Sequence, residues 1–358
     1  MNARKVSTPD SIDALFGSLD GIAEQCGDRF PLFRPAAAAE WTSSRRGSWL
    51  GGFWAGLWWL RAARYGRTHD LETARIWSTR LASSLPEPSI NRSFVFWYGA
   101  AVGYHVCGND AARRLAVQAA HAIAGDFDPS LAACTVGPGM GAGEPGARLV
   151  NVDALAPTLA LLHDYGGTEG LTKAHLHLQT CLRYLATEHG AWRANAILEA
   201  NGIILADEAG AWPRGQAWAM LGMAEAVRLY GLCYRDAALQ ACIHWMQHWG
   251  EGAEDGTSSR ASHDPSAQAI AAVAMLKLYR LLPDQPWLLQ QSRSQISSLL
   301  LADDIAETGR FVGHLYHAGS GGEEKVESSC ATFFLLEALL DLRGHEQCNG
   351  ILQMGRST

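Results

Sequence analysis

The sequence contains no apolar stretch long enough to cross a membrane, and its first residues, Met1 to Asp10, are too polar for a secretory signal. Its eight cysteines include no pair with the spacing of a metal knuckle or of a thioredoxin-type redox motif. Several of them lie in apolar helical runs, where cysteine behaves as a small hydrophobic residue. These absences predict a cytoplasmic protein with free thiols and no membrane partner.

Positive charge is also scarce, since 29 lysines and arginines stand against 36 aspartates and glutamates, for a net charge of −7. This balance argues against nucleic acid or an anionic membrane surface as the main partner. An acidic small molecule is not excluded, because one arginine can reverse the sign of the potential inside a single pocket. Disorder is excluded, because 48% of the residues are hydrophobic and only 18% are charged.

Strand patterns and β-branched residues are sparse, whereas helical periodicity dominates the chain. Apolar residues recur at three- and four-residue spacing in twelve segments, with glycine, proline or aspartate between most of them. One helix start is well defined, because Asp264 can cap a helix whose first residue is Pro265. The twelve segments are 10–25, 49–65, 69–85, 93–106, 110–124, 152–164, 170–187, 215–231, 234–248, 265–281, 287–301 and 326–343.

Twelve helices form six hairpins of about sixty residues each, a period typical of helical arrays. Two architectures fit this arrangement: an open α-solenoid, and a closed double ring of six inner and six outer helices. Four longer connections, near 125–151, 188–213, 249–263 and 302–325, follow alternate helices, which would place them on one rim. No repeated consensus of the solenoid type is found. We therefore predict an all-α protein, a single α6/α6-barrel domain spanning residues 1–358.

The segment from Trp212 to Trp218 reads Trp-Pro-Arg-Gly-Gln-Ala-Trp and stands directly before an apolar helical run. Indoles stack on sugar rings through their faces, and a guanidinium binds a carboxylate through paired N–H donors. This combination suits a pocket for an acidic sugar. The alternative is a helix start whose tryptophans are core residues and whose Arg214 binds a neighbouring carbonyl group.

Five segments, taken in order, resemble the unsaturated glucuronyl hydrolases of glycoside hydrolase family 88 and the related unsaturated rhamnogalacturonyl hydrolases of family 105. Arg-Gly-Gln-Ala-Trp at 214–218 and Gly-Phe-Trp at 52–54 are the more specific matches. Gly-Asp-Arg-Phe-Pro at 27–31, Asp-Pro-Ser-Ala at 264–267 and Tyr-His at 316–317 add support through their order.

The resemblance implies an α6/α6 barrel that uses no metal and no cofactor, with a small acidic sugar or disaccharide as its partner. That sugar would carry a C4=C5 double bond, as the products of polysaccharide lyases do. In this reaction one group protonates C4 and then deprotonates the water that adds at C5. The ring opens and the glycosidic bond is lost indirectly, without the usual pair of acids on either side of that bond.

The acidic residues of the family are only partly retained. Where the family has His-Asp-x-Gly-Phe, this chain has Ile-Asn-Arg-Ser-Phe, and the carboxamide of Asn91 cannot exchange a proton at neutral pH. A second family aspartate corresponds to Asp153 on chemical grounds or to Asn151 on ungapped register. Positions two apart differ by about 200° around a helix, so both would face one pocket only if the helix begins between them. We predict Asp153 as the acid/base; its alternative role is to bind free N–H groups at a helix start.

Further side chains are predicted to bind the substrate. Arg214 would hold the uronate carboxylate, Trp212 and Trp218 would stack on sugar faces, and polar groups such as Gln216 and Tyr316 would bind hydroxyls. The full predicted set is Trp49, Asn91, Asn151, Arg193, Trp212, Arg214, Gln216, Trp218, Tyr316 and His317.

Some positions in this set differ from the family pattern. Arg193 stands where the family has a histidine, and it is either a second cation for the ligand or a solvated loop residue. A polar loop of the family has become apolar around Ile204. His314 and His317 have the spacing of metal ligands in a glycine-rich segment predicted to be a loop, but no acidic partners stand nearby. These departures keep two alternatives open: an enzyme retuned for another unsaturated sugar or metabolite, and a catalytically dead sugar-binding protein.

Overall fold

The computed structural model describes residues 8–199, 201–250, 264–302, 305–317 and 323–354. Helices dominate, as the periodicity predicted, and each of the twelve predicted segments contains one. The helices are α1 (Thr8–Cys26), α2 (Gly51–Tyr65), α3 (Thr68–Arg80), α4 (Arg92–Phe96), α5 (Val102–Cys107), α6 (Asp110–Gly125), α7 (Leu155–Tyr165), α8 (Gly167–Tyr184), α9 (Pro213–Tyr230), α10 (Arg235–Trp249), α11 (Pro265–Leu281), α12 (Pro286–Ala302), α13 (Ile305–Thr308) and α14 (Ser329–Met354).

Seven short strands accompany the helices, and the periodicity had not predicted them. They are β1 (Phe30–Pro35), β2 (Thr42–Ser44), β3 (Leu149–Asn151), β4 (Asn195–Glu199), β5 (Gly202–Ala206), β6 (His314–His317) and β7 (Glu323–Ser328). They form two antiparallel sheets, with strand orders β2-β1-β7-β6 and β3-β4-β5. Two predictions are corrected here: residues 326–328 belong to a strand rather than to a helix, and residues 314–317 form a strand rather than a loop.

Burial separates the helices into two classes. Every residue of α2 from Gly51 to Ala62 is buried, so this helix is surrounded by protein. On α6 the buried residues recur every three or four positions, at Ala112, Leu115, Ala119 and Ile123 among others, so one face meets solvent. The all-round burial of α2 recurs in α7, α9 and α11, whereas the one-sided pattern of α6 recurs in α8, α10 and α12.

The inner helices form a closed ring. Around it α2 packs on α5, α4 on α7, α7 on α9, α9 on α11, α11 on α14, and α14 returns to α2. Outside it α3 packs on α2, α8 on α7, α10 on α9, α12 on α11 and α1 on α14. The contact between α14 and α2 closes the ring, which an open α-solenoid would not do. The fold is therefore the α6/α6 barrel that the sequence predicted.

The connections from an outer helix to the next inner helix lie on one rim. Because the chain passes alternately through an outer and an inner helix, with α4 and α5 forming one continuous inner unit, the inner helices are parallel and begin at this end. Three of the four longer predicted connections, 125–151, 188–213 and 302–325, are of this type and contain strands of the two sheets. Of the fourth, residues 251–263 lie outside the described residues. Among the described residues, no helix has both the length and the apolar character needed to cross a membrane.

Helices α2 and α4 cross with their backbones in contact at Gly52. A Cβ atom at this position would lie 2.5 Å from the carbonyl oxygen of Phe94 and 2.6 Å from the Cα of Val95. Residues Trp97–Ala101, which link α4 to α5, have π-helical geometry, and their Gly99 also approaches Gly52. Because backbone atoms cannot rotate aside, only glycine fits at position 52.

Candidate active site

The residues predicted for the site stand at the rim where the inner helices begin. Trp49 precedes α2, Asn91 precedes α4, Asp153 precedes α7 and Trp212 precedes α9. Tyr316 lies in β6, which pairs with β7, the strand that leads into α14. The closed ring therefore brings to one end of the barrel residues that are far apart in the sequence.

Direct contacts link these helix starts. The ring of Phe94 lies 5.6 Å from that of Trp49 and 5.2 Å from that of Trp218. Just beneath the rim, the buried hydroxyl of Thr158 on α7 donates a 2.7 Å hydrogen bond to the hydroxyl of Ser93 on α4. The start of α4, which carries Asn91, is thus held against α7.

Asp153 has the environment of a proton-exchanging carboxyl group. It is half-buried, and its Oδ1 is enclosed with no hydrogen-bond partner among the described residues. Burial raises the pKa of Asp153 from 3.8 to about 7, against smaller downward effects of the Arg214 guanidinium and of a hydrogen bond from Asn151. Burial dominates because the charged form loses its hydration. This carboxyl group can therefore be an acid and a base near neutral pH.

Asn151 and Asp153 lie in different local environments. Helix α7 begins only at Leu155, after both residues, and Asn151 ends strand β3. The carboxamide of Asn151 is occupied: its Nδ2 donates to Oδ1 of Asn195 at 2.8 Å, and its Oδ1 accepts from the backbone N–H of Asp153 at 2.7 Å. Asn151 thus supports the segment that carries Asp153, while the carboxyl group of Asp153 keeps an unpartnered oxygen.

Arg214 is held in an ion pair that sequence reasoning missed. Its Nη1 binds the carboxylate of Asp264, whose side chain is fully buried, and also donates to the carbonyl oxygen of Leu315 at 3.0 Å. The other oxygen of Asp264 accepts from the backbone N–H of Ser266 at 3.0 Å and so caps α11 as predicted. One carboxylate therefore starts α11 and neutralises Arg214, and the motif showed only the first of these roles.

Within the segment 212–218, the aromatic side chain of Trp212 lies at the site, and that of Trp218 packs below it. The half-buried Trp212 stacks with its ring 4.9 Å from the guanidinium carbon of Arg214. Trp218 is buried to 1% exposure and packs against Phe94 and Phe334. It therefore belongs to the core, as the alternative interpretation of this motif proposed for its tryptophans.

Gln216 is also placed beneath the site. Its amide nitrogen Nε2 donates to the carbonyl oxygens of Gly190 and Ala241, and its Oε1 accepts from the backbone N–H of Trp192. The side chain is fully buried. Its carboxamide joins α9 to two neighbouring segments, and both of its N–H hydrogens are used in these bonds. In this geometry Gln216 does not provide the predicted contact with a hydroxyl group of the substrate.

Aromatic residues on β6 and before α2 stand beside the Arg214 ion pair. Trp49 is half-buried, and its ring lies 6.1 Å from that of His314, while Tyr316 stacks on Phe33 at 4.5 Å. His314 is buried, and its Nδ1 is 2.7 Å from the Ser328 hydroxyl. Nothing is described of the His317 side chain. In the described part of the chain, no group of three or more His, Cys, Asp or Glu residues is arranged to hold a metal ion.

Asn91 and Arg193 both keep exposed surface at the rim. The side chain of Asn91 makes no capping hydrogen bond to α4, although the residue directly precedes that helix. Arg193 stands two residues before β4, and its backbone N–H donates to the carbonyl oxygen of Leu185 at 2.9 Å. The ladder of β3 and β4, in which Asn151 pairs with Asn195, is followed by a hydrogen bond from the N–H of Val152 to the carbonyl of Ala194 at 3.0 Å. Arg193 is half-buried, and its side chain has no hydrogen bond or ion pair to any described residue.

These features define a class of architecture, the α6/α6 barrel with polar and aromatic side chains gathered at the rim where its inner helices begin. Comparison with known proteins gives the particular relatives. No family model and no curated protein sequence matches the chain. Solved structures do, and an unsaturated glucuronyl hydrolase from Bacillus sp. GL1, responsible for the degradation of glycosaminoglycan, superimposes with a TM-score of 0.80 at 21% identity. That match covers 94% of this chain and 97% of the other.

Two further structures extend the likeness. A variant of the unsaturated glucuronyl hydrolase from Streptococcus agalactiae, complexed with dGlcA-GalNAc6S, has a TM-score of 0.71 at 16% identity and covers 95% of this chain and 93% of its own. A possible member of glycoside hydrolase family 105 from Salmonella enterica has a TM-score of 0.69 at 13% identity, over 96% and 97%. At these identities the likeness establishes the fold, and it is the fold that the motifs of this chain predicted.

Proposed function

We propose that this chain is a glycoside hydrolase-like enzyme that acts on small acidic sugars with a 4,5-unsaturated uronyl group. The observation that carries the proposal is the carboxyl group of Asp153, which stands at the rim with a pKa of about 7 and with one oxygen that has no hydrogen-bond partner among the described residues. Such a group holds and releases a proton at neutral pH, as acid–base catalysis requires. Support comes from the barrel shared with solved unsaturated glucuronyl hydrolases, one of them in complex with an unsaturated disaccharide.

The proposed reaction begins with Asp153 in its neutral form. Its proton is added to C4 of the sugar, and the electron pair of the C4=C5 bond forms the new C–H bond. Water then attacks C5 and gives its proton to the Asp153 carboxylate, which returns to the acid. The hemiketal formed at C5 opens the ring and releases the leaving group. One molecule of substrate and one of water are consumed in each turnover. A cytoplasmic enzyme of this kind would act on imported disaccharides.

Recognition of the uronate carboxylate is assigned to Arg193 rather than to Arg214 alone. The charge of Arg214 is balanced by the buried Asp264, so the pair is close to neutral. The side chain of Arg193 has no such partner among the described residues, and Arg193 directly precedes Ala194, whose carbonyl accepts from the N–H of Val152, the neighbour of Asp153. A half-buried guanidinium at this part of the rim would draw the carboxylate on C5 toward that side of the site. Arg214 and Trp212 then form the wall beneath the sugar.

Arg193→Ala is expected to raise KM for an unsaturated uronyl disaccharide by about 10- to 100-fold, as loss of one charge-assisted hydrogen-bonded pair does. kcat should change much less, because Asp153 is untouched. Arg148→Ala is the matched control, since Arg148 lies on the same rim but is exposed and paired with Glu199. Steady-state kinetics of both variants check this prediction. An equal change in KM for the two variants would contradict the specific role of Arg193.

The reaction itself is tested by ultraviolet absorbance. The conjugated C4=C5–carboxylate group absorbs, and hydration of the double bond removes the signal. A panel should contain unsaturated uronyl disaccharides with and without sulfate. Loss of absorbance with formation of one free sugar per double bond is the expected result. Binding of these sugars without loss of absorbance would favour a sugar-binding protein instead.

Asn91→Asp is expected to raise kcat on these substrates by about 10-fold, a modest part of what a second proton-exchanging group supplies. The family resemblance places an acid at this position, and the Asn91 side chain makes no capping bond that the change would break. Asn109→Asp is the control, because Asn109 also precedes a helix, the outer helix α6. The same absorbance assay measures both. A fall in kcat for Asn91→Asp would indicate that the amide itself serves this active site.

A second candidate function differs in the leaving group. Three exposed aliphatic residues stand together on β5, with Ile203 45%, Ile204 52% and Leu205 63% exposed. They belong to the same sheet as Asn151, so they flank the site where a leaving group would project. An apolar aglycone would cover them. A higher kcat/KM for an unsaturated uronide with an aryl or alkyl aglycone than for disaccharides, reversed in Ile204→Gln, would favour this retuned enzyme.

A further inference from the structure

Three side chains form a chain of hydrogen bonds that leads from the surface to Asp153. The carboxylate of Asp207, an exposed residue just after β5, accepts from Nδ2 of Asn195 at 2.8 Å. Oδ1 of Asn195 accepts from Nδ2 of Asn151 at 2.8 Å. Oδ1 of Asn151 accepts from the backbone N–H of Asp153 at 2.7 Å. Each carboxamide thus donates on one side and accepts on the other.

The two ends of this chain determine the direction of every bond in it. A carboxylate can only accept, so Asn195 must present its N–H₂ group to Asp207 and its oxygen to Asn151. A backbone N–H can only donate, so Asn151 must present its oxygen to Asp153 and its N–H₂ group to Asn195. Reversing either amide would set two oxygens or two N–H groups against each other.

The geometry points to Asp207 as a positioning residue that, through Asn195, holds the Asn151 carboxamide in the orientation that anchors Asp153. This inference rests on the proposed function, for which Asp153 is the acid/base. The backbone supports the chain, because Asn151 pairs with Asn195 in the sheet and the N–H of Asp207 donates to the carbonyl of Asn195 at 3.1 Å. Asn151 in this orientation also directs an N–H group, not an oxygen, toward the Asp153 carboxyl group, and this lowers its pKa.

Loss of Asp207 should therefore shift the pKa of Asp153 in the direction opposite to the shift expected from removal of a charge alone. Removing a carboxylate near an acid stabilises the ionised acid and lowers its pKa. Releasing Asn151, so that its N–H group no longer points at the Asp153 carboxyl group, removes a contact that favours the ionised form and raises the pKa. The other groups around Asp153 are Arg214 with its partner Asp264, and the Cys330 thiol, which burial keeps neutral by raising its pKa. A substitution at Asp207 changes none of them.

The test compares Asp207→Ala with Asp207→Glu and with Glu199→Ala. Glu199 ends the same strand β4, is exposed, and pairs with Arg148 at 2.8 Å, so its removal matches the loss of charge without touching the three-residue chain. The pKa of Asp153 is read from ¹³C NMR of protein labelled at the aspartate carboxyl carbons, with the signal assigned from Asp153→Asn. The pH profile of kcat is measured in parallel.

Asp207→Ala should raise the pKa of Asp153 by about 0.5 to 1 unit and lower kcat by about 3- to 10-fold, the size of one neutral hydrogen bond. Asp207→Glu, which keeps an acceptor-only group, should restore both values, and Glu199→Ala should leave the pKa unchanged or slightly lower. A downward shift of equal size in Asp207→Ala and Glu199→Ala would overturn the inference. The NMR titration decides this even if no variant shows turnover, which would count only against the proposed function.

Discussion

Asp153→Asn is expected to lower kcat on unsaturated uronyl disaccharides by about 10²- to 10⁴-fold, the usual contribution of a positioned general acid or base. Asparagine has nearly the same shape, but it can neither protonate C4 nor accept a proton from water. KM should stay within a few-fold, because substrate contacts are assigned to other side chains. Steady-state absorbance kinetics measure both constants. Full activity in Asp153→Asn would remove the acid/base role from this residue.

The same substitution should make the fold more stable at neutral and alkaline pH. The carboxyl group of Asp153 has a pKa of 3.8 when unfolded and about 7 when folded. Between these values the unfolded chain gives up its proton and the folded chain does not, so stability falls as pH rises from about 4 to 7 and stays low above it. Asp153→Asn abolishes this loss, which is roughly 2 to 4 kcal/mol at pH 8.

A carboxyl group with the opposite shift is the control for this pH dependence. The hydrogen bond from the Ser130 side chain lowers the pKa of Asp128, so its contribution to stability is present at neutral pH and is lost as the solution becomes acidic. Asp128→Asn should therefore destabilise the protein at pH 8 and be neutral in strong acid. Urea unfolding measures Asp153→Asn between pH 4 and 8 and Asp128→Asn from pH 8 down to below pH 4, where the carboxyl group of Asp128 titrates. Slopes of the same sign in the two would contradict the buried, protonated state of Asp153.

Gly52→Ala is expected to destabilise the protein by about 3 kcal/mol or more, because an added methyl group here has no way to be accommodated by rotation of a side chain. Its Cβ would meet the carbonyl oxygens of Phe94 and Val95 at 2.5 and 2.6 Å, and both are backbone atoms. Helix α2 must then move away from α4, and the ring of inner helices opens beside Asn91. Thermal or urea unfolding gives the change in the free energy of unfolding.

Gly21→Ala provides the matched control on an outer helix. Gly21 lies exposed on α1, and a Cβ there would meet no atom within 4 Å. This change should stabilise the protein by about 0.5 to 1 kcal/mol, since alanine loses less backbone freedom than glycine when a helix forms. Equal destabilisation by both substitutions would show that the close crossing at Gly52 is not the cause.

The fold was largely predictable because its determinants are local. Apolar periodicity and capping residues such as Asp264 are visible in short windows, and the number of helices then left two architectures to consider, an open solenoid and a closed double ring. The strands were not predicted because they have only three to six residues and show no alternating apolar pattern long enough to detect. Their pairing depends on partners such as β1 and β7, which lie almost 300 residues apart in the chain.

The site was predictable only in part, for a related reason. The motif that contains Arg214 stands at the start of α9, but a helix buried on all sides gives no periodicity from which to tell pocket residues from core residues. Trp218 and Gln216 therefore seemed equivalent to Trp212 until the packing was known. The Asp264 partner of Arg214 is fifty residues away, and no sequence pattern connects the two. The choice between Asn151 and Asp153 depended on where α7 begins, which is the least certain feature of a predicted helix.

The parallel direction of the inner helices has a consequence for how the molecule attracts an anion. Each α-helix behaves as a macrodipole with about half a positive elementary charge at its N-terminus. All the inner helices direct this end at the same rim, so the backbone alone produces a positive field there. An acidic ligand would be drawn to that face although the whole chain carries a net charge of −7. In this fold the field that attracts an anion comes from the parallel helices themselves. The few arginines at the rim are then needed only to orient the bound acidic ligand.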